Sequence, residues 1–323
     1  MIKGHGDDAY RYPGIKSDFS SNICATTTSH QALMAHLASC HQLLSHYPEP
    51  EAWSLEAMLA ELHGIDPCNV IVTSGATEAI YLIAQTFRYK SVIPTPTFSE
   101  YEDACSCFEQ KEDKTMLWLC NPNNPDGRVY DRFLVEDMMN EFDLVVLDHS
   151  YEYYTSGRLM MTRRGCDEPR SIVIHSFTKT YGVPGLRLGY ITAHESLTEE
   201  MRLFLRPWSV SALAIEAGKY LFNHIELICR PDLGEAQRLR QQLMAIGIDV
   251  MPTETNFMLC RLEGHTAENL KEYLACHHGM LIRDASNFRG LTPQHFRVAA
   301  QSREENDALV AAIALFMKNR KDN

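Results

Sequence analysis

Long hydrophobic runs are missing from this 323-residue chain. The longest, residues 308–317, falls well short of the roughly 20 apolar residues that a membrane helix needs. The opening Met1-Ile2-Lys3-Gly4-His5-Gly6-Asp7-Asp8 has no apolar core of a secretory signal, so a cytoplasmic location is expected. Positive charge is scarce too: 30 Lys and Arg stand against 42 Asp and Glu, a net charge of −12. A general nucleic-acid binder needs a basic face to neutralise phosphates, and this balance argues against one. Fixed-period repeats and low-complexity tracts are absent, which sets solenoids and linkers aside. What remains is ordinary globular composition, 45% apolar and 22% charged, in a chain long enough for two domains or one large one.

The ten cysteines are scattered, with no export signal, and read as free thiols in a reducing compartment. Cys105 and Cys107 are too close for usual zinc spacing. No His or Cys pair completes a four-ligand set, so no metal is expected. The fourteen histidines are also dispersed, and His277-His278 reads as the solvated last turn of a helix.

Short β-branched runs alternate with helical stretches. Strands are predicted at 70–73, 91–94, 116–120, 144–148 and 171–175, with helices at 77–87 and 132–141 between them. Continuous apolar runs suit strands buried on both faces, hence a parallel sheet in an open α/β fold. Helices are expected ahead of this block at 30–44 and 52–63. After it come a helix at 231–244 with Pro231 in its first turn, a strand at 256–261 and a helix at 267–276. Two short strands (280–283, 295–299) and a last helix (303–318) complete a smaller α+β unit. A cleft between two domains is the expected ligand site.

In open α/β sheets, ligands sit at the carboxyl ends of the strands. The polar clusters fall there in order. Ser74-Gly75-Ala76-Thr77 leads into a helix, a phosphate cradle of free N–H groups at a positive helix end. Phe98 follows the second strand, and the rigid turn Asn121-Pro122-Asn123-Asn124-Pro125-Asp126-Gly127 the third. Asp148 and Tyr151 follow the fourth, and Ser176, Lys179 and Arg187 the fifth. Singly, each has a bland reading: Asp148 a helix cap, Lys179 a solvated lysine, Arg187 a surface ion pair. Their joint order is what points to chemistry. A dinucleotide-binding dehydrogenase would need G-x-G-x-x-G after the first strand, which is absent. A ligand-sensing regulator would need a helix-turn-helix arm, and about 30 residues ahead of the first helix are too few for it.

The motifs NPNNPDG (121–127) and SFTKTYGVPGLRLGY (176–190) resemble the pyridoxal-phosphate enzymes of fold type I, the aspartate aminotransferase superfamily (class I/II). The resemblance spans nearly the whole chain. It implies an N-terminal arm (1–30) packing on the small domain, and a large domain (31–228) with a mostly parallel seven-stranded sheet flanked by helices. A small α+β domain (229–323) follows. It implies pyridoxal 5'-phosphate as cofactor, with Lys179 forming the Schiff base to its aldehyde and Asp148 pairing with the pyridine nitrogen. Asn124 and Tyr151 match donors to the phenolic oxygen, and Phe98 the ring stacked on the pyridine. Gly75, Ala76, Thr77, Ser176 and Arg187 match the phosphate cup. Tyr47 matches a tyrosine that reaches the cofactor phosphate of a neighbouring subunit, implying a homodimer with shared active sites. Arg297 matches the arginine that grips the substrate carboxylate.

Two subgroups acting on phosphorylated amines share these motifs. His5-Gly6, Asp18-Phe19-Ser20-Ser21-Asn22, Pro96-Thr97-Phe98-Ser99-Glu100-Tyr101, the 206–214 stretch RPWSVSALA and the 281–291 stretch LIRDASNFRGL look more like L-threonine-O-3-phosphate decarboxylase than histidinol-phosphate aminotransferase. Decarboxylation of O-phospho-L-threonine to aminopropanol phosphate, in cobalamin side-chain synthesis, is therefore the favoured expectation, and the aminotransferase reaction the alternative. Arg283 is the candidate for the substrate phosphate, with Asn22 as an orienting residue. Asp126 stands where the family has threonine, and His149 follows Asp148 without an assigned role. Only residues 99–120 separate Phe98 from Asn121, a shorter span than the family usually has. A peripheral strand and helix are expected to be missing there, with the cofactor site intact.

Overall fold

The structure, a computed structural model, describes residues 8–24 and 27–319. His5-Gly6 lies outside the described residues. In chain order the elements are β1 (Ser17–Asp18), α1 (Thr27–Ser39), α2 (Trp53–His63), β2 (Val70–Thr73), α3 (Ala76–Phe87), β3 (Tyr89–Val92), α4 (Glu100–Ser106), β4 (Lys111–Cys120), α5 (Arg132–Glu141) and β5 (Leu144–Asp148). Then follow α6 (Thr162–Cys166), β6 (Ser171–Ser176), α7 (Phe177–Thr180), β7 (Gly189–Ala193), α8 (Glu195–Arg202) and α9 (Ala212–Phe222). The last part holds α10 (Leu233–Ala245), β8 (Asp249–Val250), β9 (Phe257–Arg261), α11 (Ala267–His278), β10 (Met280–Leu281), β11 (Arg283–Asp284), β12 (His295–Ala299) and α12 (Arg303–Asn319).

The main sheet runs β2-β7-β6-β5-β4-β3, parallel from β3 to β6, with β7 antiparallel to both of its neighbours. Among the described residues it is mostly parallel, as expected, but has six strands rather than seven. The seventh has no room. One seven-residue helix, α4, carries the chain from the β3 end to β4, whereas each parallel strand needs its own crossover of a dozen or more residues. β3 is therefore the sheet edge. Its register with β4 breaks between Tyr89↔Lys111 and Lys90↔Thr115, leaving residues 112–114 as a bulge that absorbs the shortened path. β7 was not among the predicted strands, because its apolar residues lie at the tail of the glycine-rich 176–190 motif. Gly189 starts it, and a Cβ there would sit 2.9 Å from Ala76 N, so glycine lets β7 run against the root of α3.

Every residue of β5 and β6 is buried. On one face Ile80, Ile83 and Phe87 of α3 pack against Val146, Ile172 and Ile174. On the other, Val135 and Met139 of α5 meet Val145 and Leu147. Each such side chain contributes roughly 1.5–3 kcal/mol when fully buried. The C-terminal sheet, β11-β12-β9-β8, is antiparallel throughout. Leu239, Leu270, Ile313 and Phe316 from α10, α11 and α12 form its core, and Phe19 of the N-terminal segment joins them. β1 pairs in parallel with β10, and Phe19 bonds on through Ala299 N.

Other boundaries shift locally. The predicted 30–44 helix ends at Ser39, where Cys40 leaves helical geometry (φ −101°, ψ 26°), and a 3-10 turn follows. Asp232 caps α10, so Pro231 stands outside the helix rather than in its first turn. The predicted 280–283 strand splits at Ile282, and its halves join different sheets. Among the described residues, no helix is long and apolar enough to cross a membrane.

Candidate active site

A cavity of about 430 Å³ opens at the carboxyl ends of β4, β5 and β6, beside the start of α3. The N-terminal segment and the β11–β12 pair close it. The structure brings Ala76, Thr77, Phe98, Asn124, Asp148, Tyr151, Ser176, Lys179, Arg187, Arg283 and Arg297 to its wall.

One end is built for an anion. Gly75 caps α3 with φ +83°, a left-handed conformation natural to glycine. A Cβ there would lie 2.7 Å from Arg187 Nη2, so the missing side chain is what lets that guanidinium settle over the N-terminus of α3. Free N–H groups, a helix dipole and a guanidinium thus converge. Ser176 closes β6 beside them, and Thr178 also lines the wall. Thr178 was missed in the sequence, although its hydroxyl stands two positions from that of Ser176 in the SFTK motif.

At the centre, Asp148 ends β5 and is 4% exposed. Its Oδ2 accepts from Tyr101 Oη at 2.7 Å and its Oδ1 from Ser150 N at 2.8 Å. Tyr101, placed by sequence only within a family-like stretch, is a further site residue. Phe98 meets it edge-on, with ring centroids 5.7 Å apart. Burial, opposed by the Arg297 charge, pushes the Tyr151 phenol up to about 12, so it stays protonated at neutral pH.

Lys179 sits in α7. Its Nζ donates to Ser21 O at 2.8 Å and lies 5.6 Å from the centre of the Tyr151 ring. Arg297 Nη1 donates to Asn124 Oδ1 and its Nη2 to Ser20 O. Engaging Asn124 through its oxygen leaves the amide Nδ2 as a donor for a second partner. Burial lowers Arg297 to about 10 and also lowers Arg283, yet both remain cations at neutral pH. The two are cross-strand partners, Arg283 on β11 opposite Arg297 on β12, so their side chains leave the same face of the sheet.

Two predicted residues stand apart from the wall. Tyr47 is 87% exposed and packs near Trp208 beside a smaller recess, away from this cavity. Asn22 is fully buried with φ +53°. Its Nδ2 reaches Tyr151 Oη at 3.4 Å, while its Oδ1 has no hydrogen-bond partner among the described residues. Asp126 accepts from Asn123 Nδ2 and Arg128 N, which makes it the clasp of its own turn. His149 faces His175 in the core, ring centroids 6.1 Å apart.

These residues fit pyridoxal 5'-phosphate. A Cβ-free cradle under a guanidinium suits its phosphate, a buried and doubly hydrogen-bonded carboxylate suits a protonated ring nitrogen, and a primary amine stands within the same cavity. The comparisons agree. A profile of the class I and II aminotransferases matches residues 15–109 and 106–313. The crystal structure of L-threonine-O-3-phosphate decarboxylase from Porphyromonas gingivalis superposes with a TM-score of 0.87 at 35% identity, covering 94% of this chain and 100% of that one. Threonine-phosphate decarboxylase of Salmonella typhimurium is 27% identical over 332 residues, 92% of this chain and 90% of the relative. Histidinol-phosphate aminotransferase 2 of Archaeoglobus fulgidus is 28% identical over 322 residues, 92% of each. By profile, fold and cavity, the chain belongs to the class I and II aminotransferase family, and its cofactor is pyridoxal 5'-phosphate.

Proposed function

We propose that this chain is a carboxy-lyase that converts O-phospho-L-threonine to aminopropanol phosphate and CO₂. The observation that carries this reading is the cross-strand pair Arg283↔Arg297, two buried guanidiniums at one wall of the cavity. O-phospho-L-threonine presents a carboxylate and a phosphate on one short carbon frame, one anion for each arginine. Histidinol phosphate presents a single anion, but the 2-oxoglutarate of an amino transfer presents two, so the pair supports the lyase together with the 35% identity to the Porphyromonas decarboxylase. In this reading Arg297 holds the carboxylate and Arg283 the phosphate, with Asn22 orienting the substrate beside Tyr151.

When bound, the cofactor supplies a conjugated ring that accepts the electron pair left as the bond to the carboxylate breaks. Lys179 Nζ is the amine that would bond to its aldehyde. Among the described residues it is also the only lysine at the cavity wall, placed to carry the proton that Cα gains in exchange for CO₂. Asp148 would hold the ring nitrogen protonated, Asn124 and Tyr151 would donate to the phenolic oxygen, and Phe98 would cover the ring. Gly75, Ala76, Thr77, Ser176 and Arg187 would bind the phosphate. By gripping the carboxylate, Arg297 would orient the bond to be cleaved.

The proposal includes a cytoplasmic homodimer in which Tyr47 of each subunit reaches the other's cofactor phosphate. The exposed Tyr47, Leu44 and Trp208 support it, as do ten free cysteines for the compartment. It also includes a division into an arm (1–30), a large domain (31–228) and a small domain (229–323), supported by the separate C-terminal core. The second reading is amino transfer of the histidinol-phosphate type, favoured by the Archaeoglobus relative. Incubating the loaded protein with O-phospho-L-threonine separates them. Release of CO₂ and aminopropanol phosphate supports the lyase. Transfer from histidinol phosphate to 2-oxoglutarate without CO₂ release overturns it.

A further inference from the structure

Away from the cavity, α1 and α9 bring three donor atoms to one point. His36 Nε2 lies 2.9 Å from Glu216 Oε1 and 3.8 Å from Cys40 Sγ. All three ligand atoms fall within 4.8 Å of one another. Cys40 stands just past the end of α1, four residues beyond His36, and its Sγ faces back to that ring. The His36 ring stacks on Tyr220 with centroids 4.4 Å apart, which fixes its direction.

An imidazole nitrogen carries either one proton or one lone pair, so Nε2 can serve only one of the two groups facing it. A shared cation serves all three. Zinc bonds of about 2.0–2.3 Å to N, O and S place tetrahedral donors roughly 3.2–3.6 Å apart, between the two distances observed. The bland alternative is a His36–Glu216 hydrogen bond with the Cys40 thiol turned to His36 O, 3.5 Å away.

We propose that His36, Cys40 and Glu216 form a Zn²⁺ site with water as fourth ligand. A thiolate with an imidazole and a carboxylate suits zinc and disfavours Mg²⁺ or Ca²⁺. The His36 and Glu216 side chains are 27% and 29% exposed, which leaves an entry for the ion and its water. Binding sends the Cys40 thiol proton to solvent and releases five of the six waters of the hydrated ion, the sixth staying as fourth ligand, with no redox change. The ion ties α1 to α9, adding to the packing of Leu33 and Leu37 against Ala214 and Ile215. His and Cys spacing alone does not reveal the cluster, because the third donor is a glutamate 180 residues from His36.

The test is equilibrium dialysis of the cofactor-loaded protein against Zn²⁺, with metal content measured per chain. Wild type is expected to hold one Zn²⁺ that Cys40→Ser and Glu216→Gln lose, with affinity falling more than about tenfold. Zinc should raise the unfolding temperature of wild type and not of the variants. Both substitutions are nearly isosteric, and metal-free melting shows whether each variant folds. If Cys40→Ser does not fold, Glu216→Gln carries the test. Wild type that takes up no zinc, or a folded variant that takes it up as wild type does, overturns the proposal.

Discussion

The Tyr101 hydroxyl donates to Asp148 Oδ2 at 2.7 Å from a side chain with no solvent exposure, stacked on Trp118 with centroids 5.4 Å apart. Phe98 lies just ahead of α4 and Tyr101 in its first turn, so one stretch delivers both an aromatic ring to the cavity wall and the support for the Asp148 carboxylate. Burial first, then the Asp148 charge, holds the Tyr101 phenol well above its ordinary range, so it stays a donor. Tyr101→Phe keeps the packing and removes that donor. The expected result is kcat lowered about tenfold or more, weaker cofactor retention, and a stability loss of about 1–3 kcal/mol from the unpaired oxygen. Cofactor titration beside a denaturant melt checks it. Unchanged turnover and affinity would sink the supporting role.

Gly75 answers to two constraints at once, a left-handed φ of +83° and the Arg187 guanidinium above it. Gly75→Ala adds backbone strain of roughly 1–3 kcal/mol and pushes Arg187 off the helix end. The cofactor should bind at least about tenfold more weakly while kcat at saturating cofactor changes less. Visible absorbance during cofactor titration reads this directly. Wild-type affinity in the variant would move the phosphate elsewhere.

Much of this site was legible because chemistry sits at strand ends and strand interiors announce themselves. β2, β5 and β12 have their predicted bounds: β2 and β5 are mainly apolar and wholly buried, and β12, though it carries His295 and Arg297, is buried from Phe296 onward. The trimmed edge was legible from a residue count, although the resemblance still implied a seventh strand. Less legible was anything set by distant partners. Tyr101 meets Asp148 across 47 positions and Ser21 O meets Lys179 across 158. No local spacing encodes either contact. Asn22 likewise meets Tyr151 across 129 positions, a contact that no local spacing encodes.

On the proposed reading, the arginine pair divides substrate recognition into two measurable parts. Arg283→Gln should raise KM for O-phospho-L-threonine and leave the weak binding of unphosphorylated L-threonine nearly unchanged. Arg297→Gln should weaken both ligands and also release Asn124, whose Oδ1 it holds. Charge-assisted hydrogen bonds of about 1.5–3 kcal/mol correspond to KM changes of roughly 10–100-fold. Competition by each ligand for the loaded enzyme reads both. Equal losses for the two ligands in Arg283→Gln would remove the phosphate from that arginine.

Beyond Asp148 lies a buried group whose titration sets an acid limit. Burial, the largest cause in each case, lowers His63 and His149 from the ordinary 6.5 to about 4, so both are neutral in the fold. His175 Nδ1 stands 3.0 Å from Glu152 Oε1 between them. Burial pushes that carboxyl up, but the His175 charge and hydrogen bond outweigh it and hold it below its usual range. The sign follows from where protons go. Between about pH 6.5 and 4 the unfolded chain binds protons on these histidines and the fold does not. Their contribution is complete above pH 6.5 and is lost as pH falls toward 4, on the order of 3 kcal/mol per histidine. Depressed Glu152 acts in the same direction at lower pH. The midpoint of urea unfolding should drop between pH 6.5 and 4.5, and drop less in His149→Gln, whose side chain does not titrate. A variant with the wild-type pH slope would place the acid sensitivity in other groups.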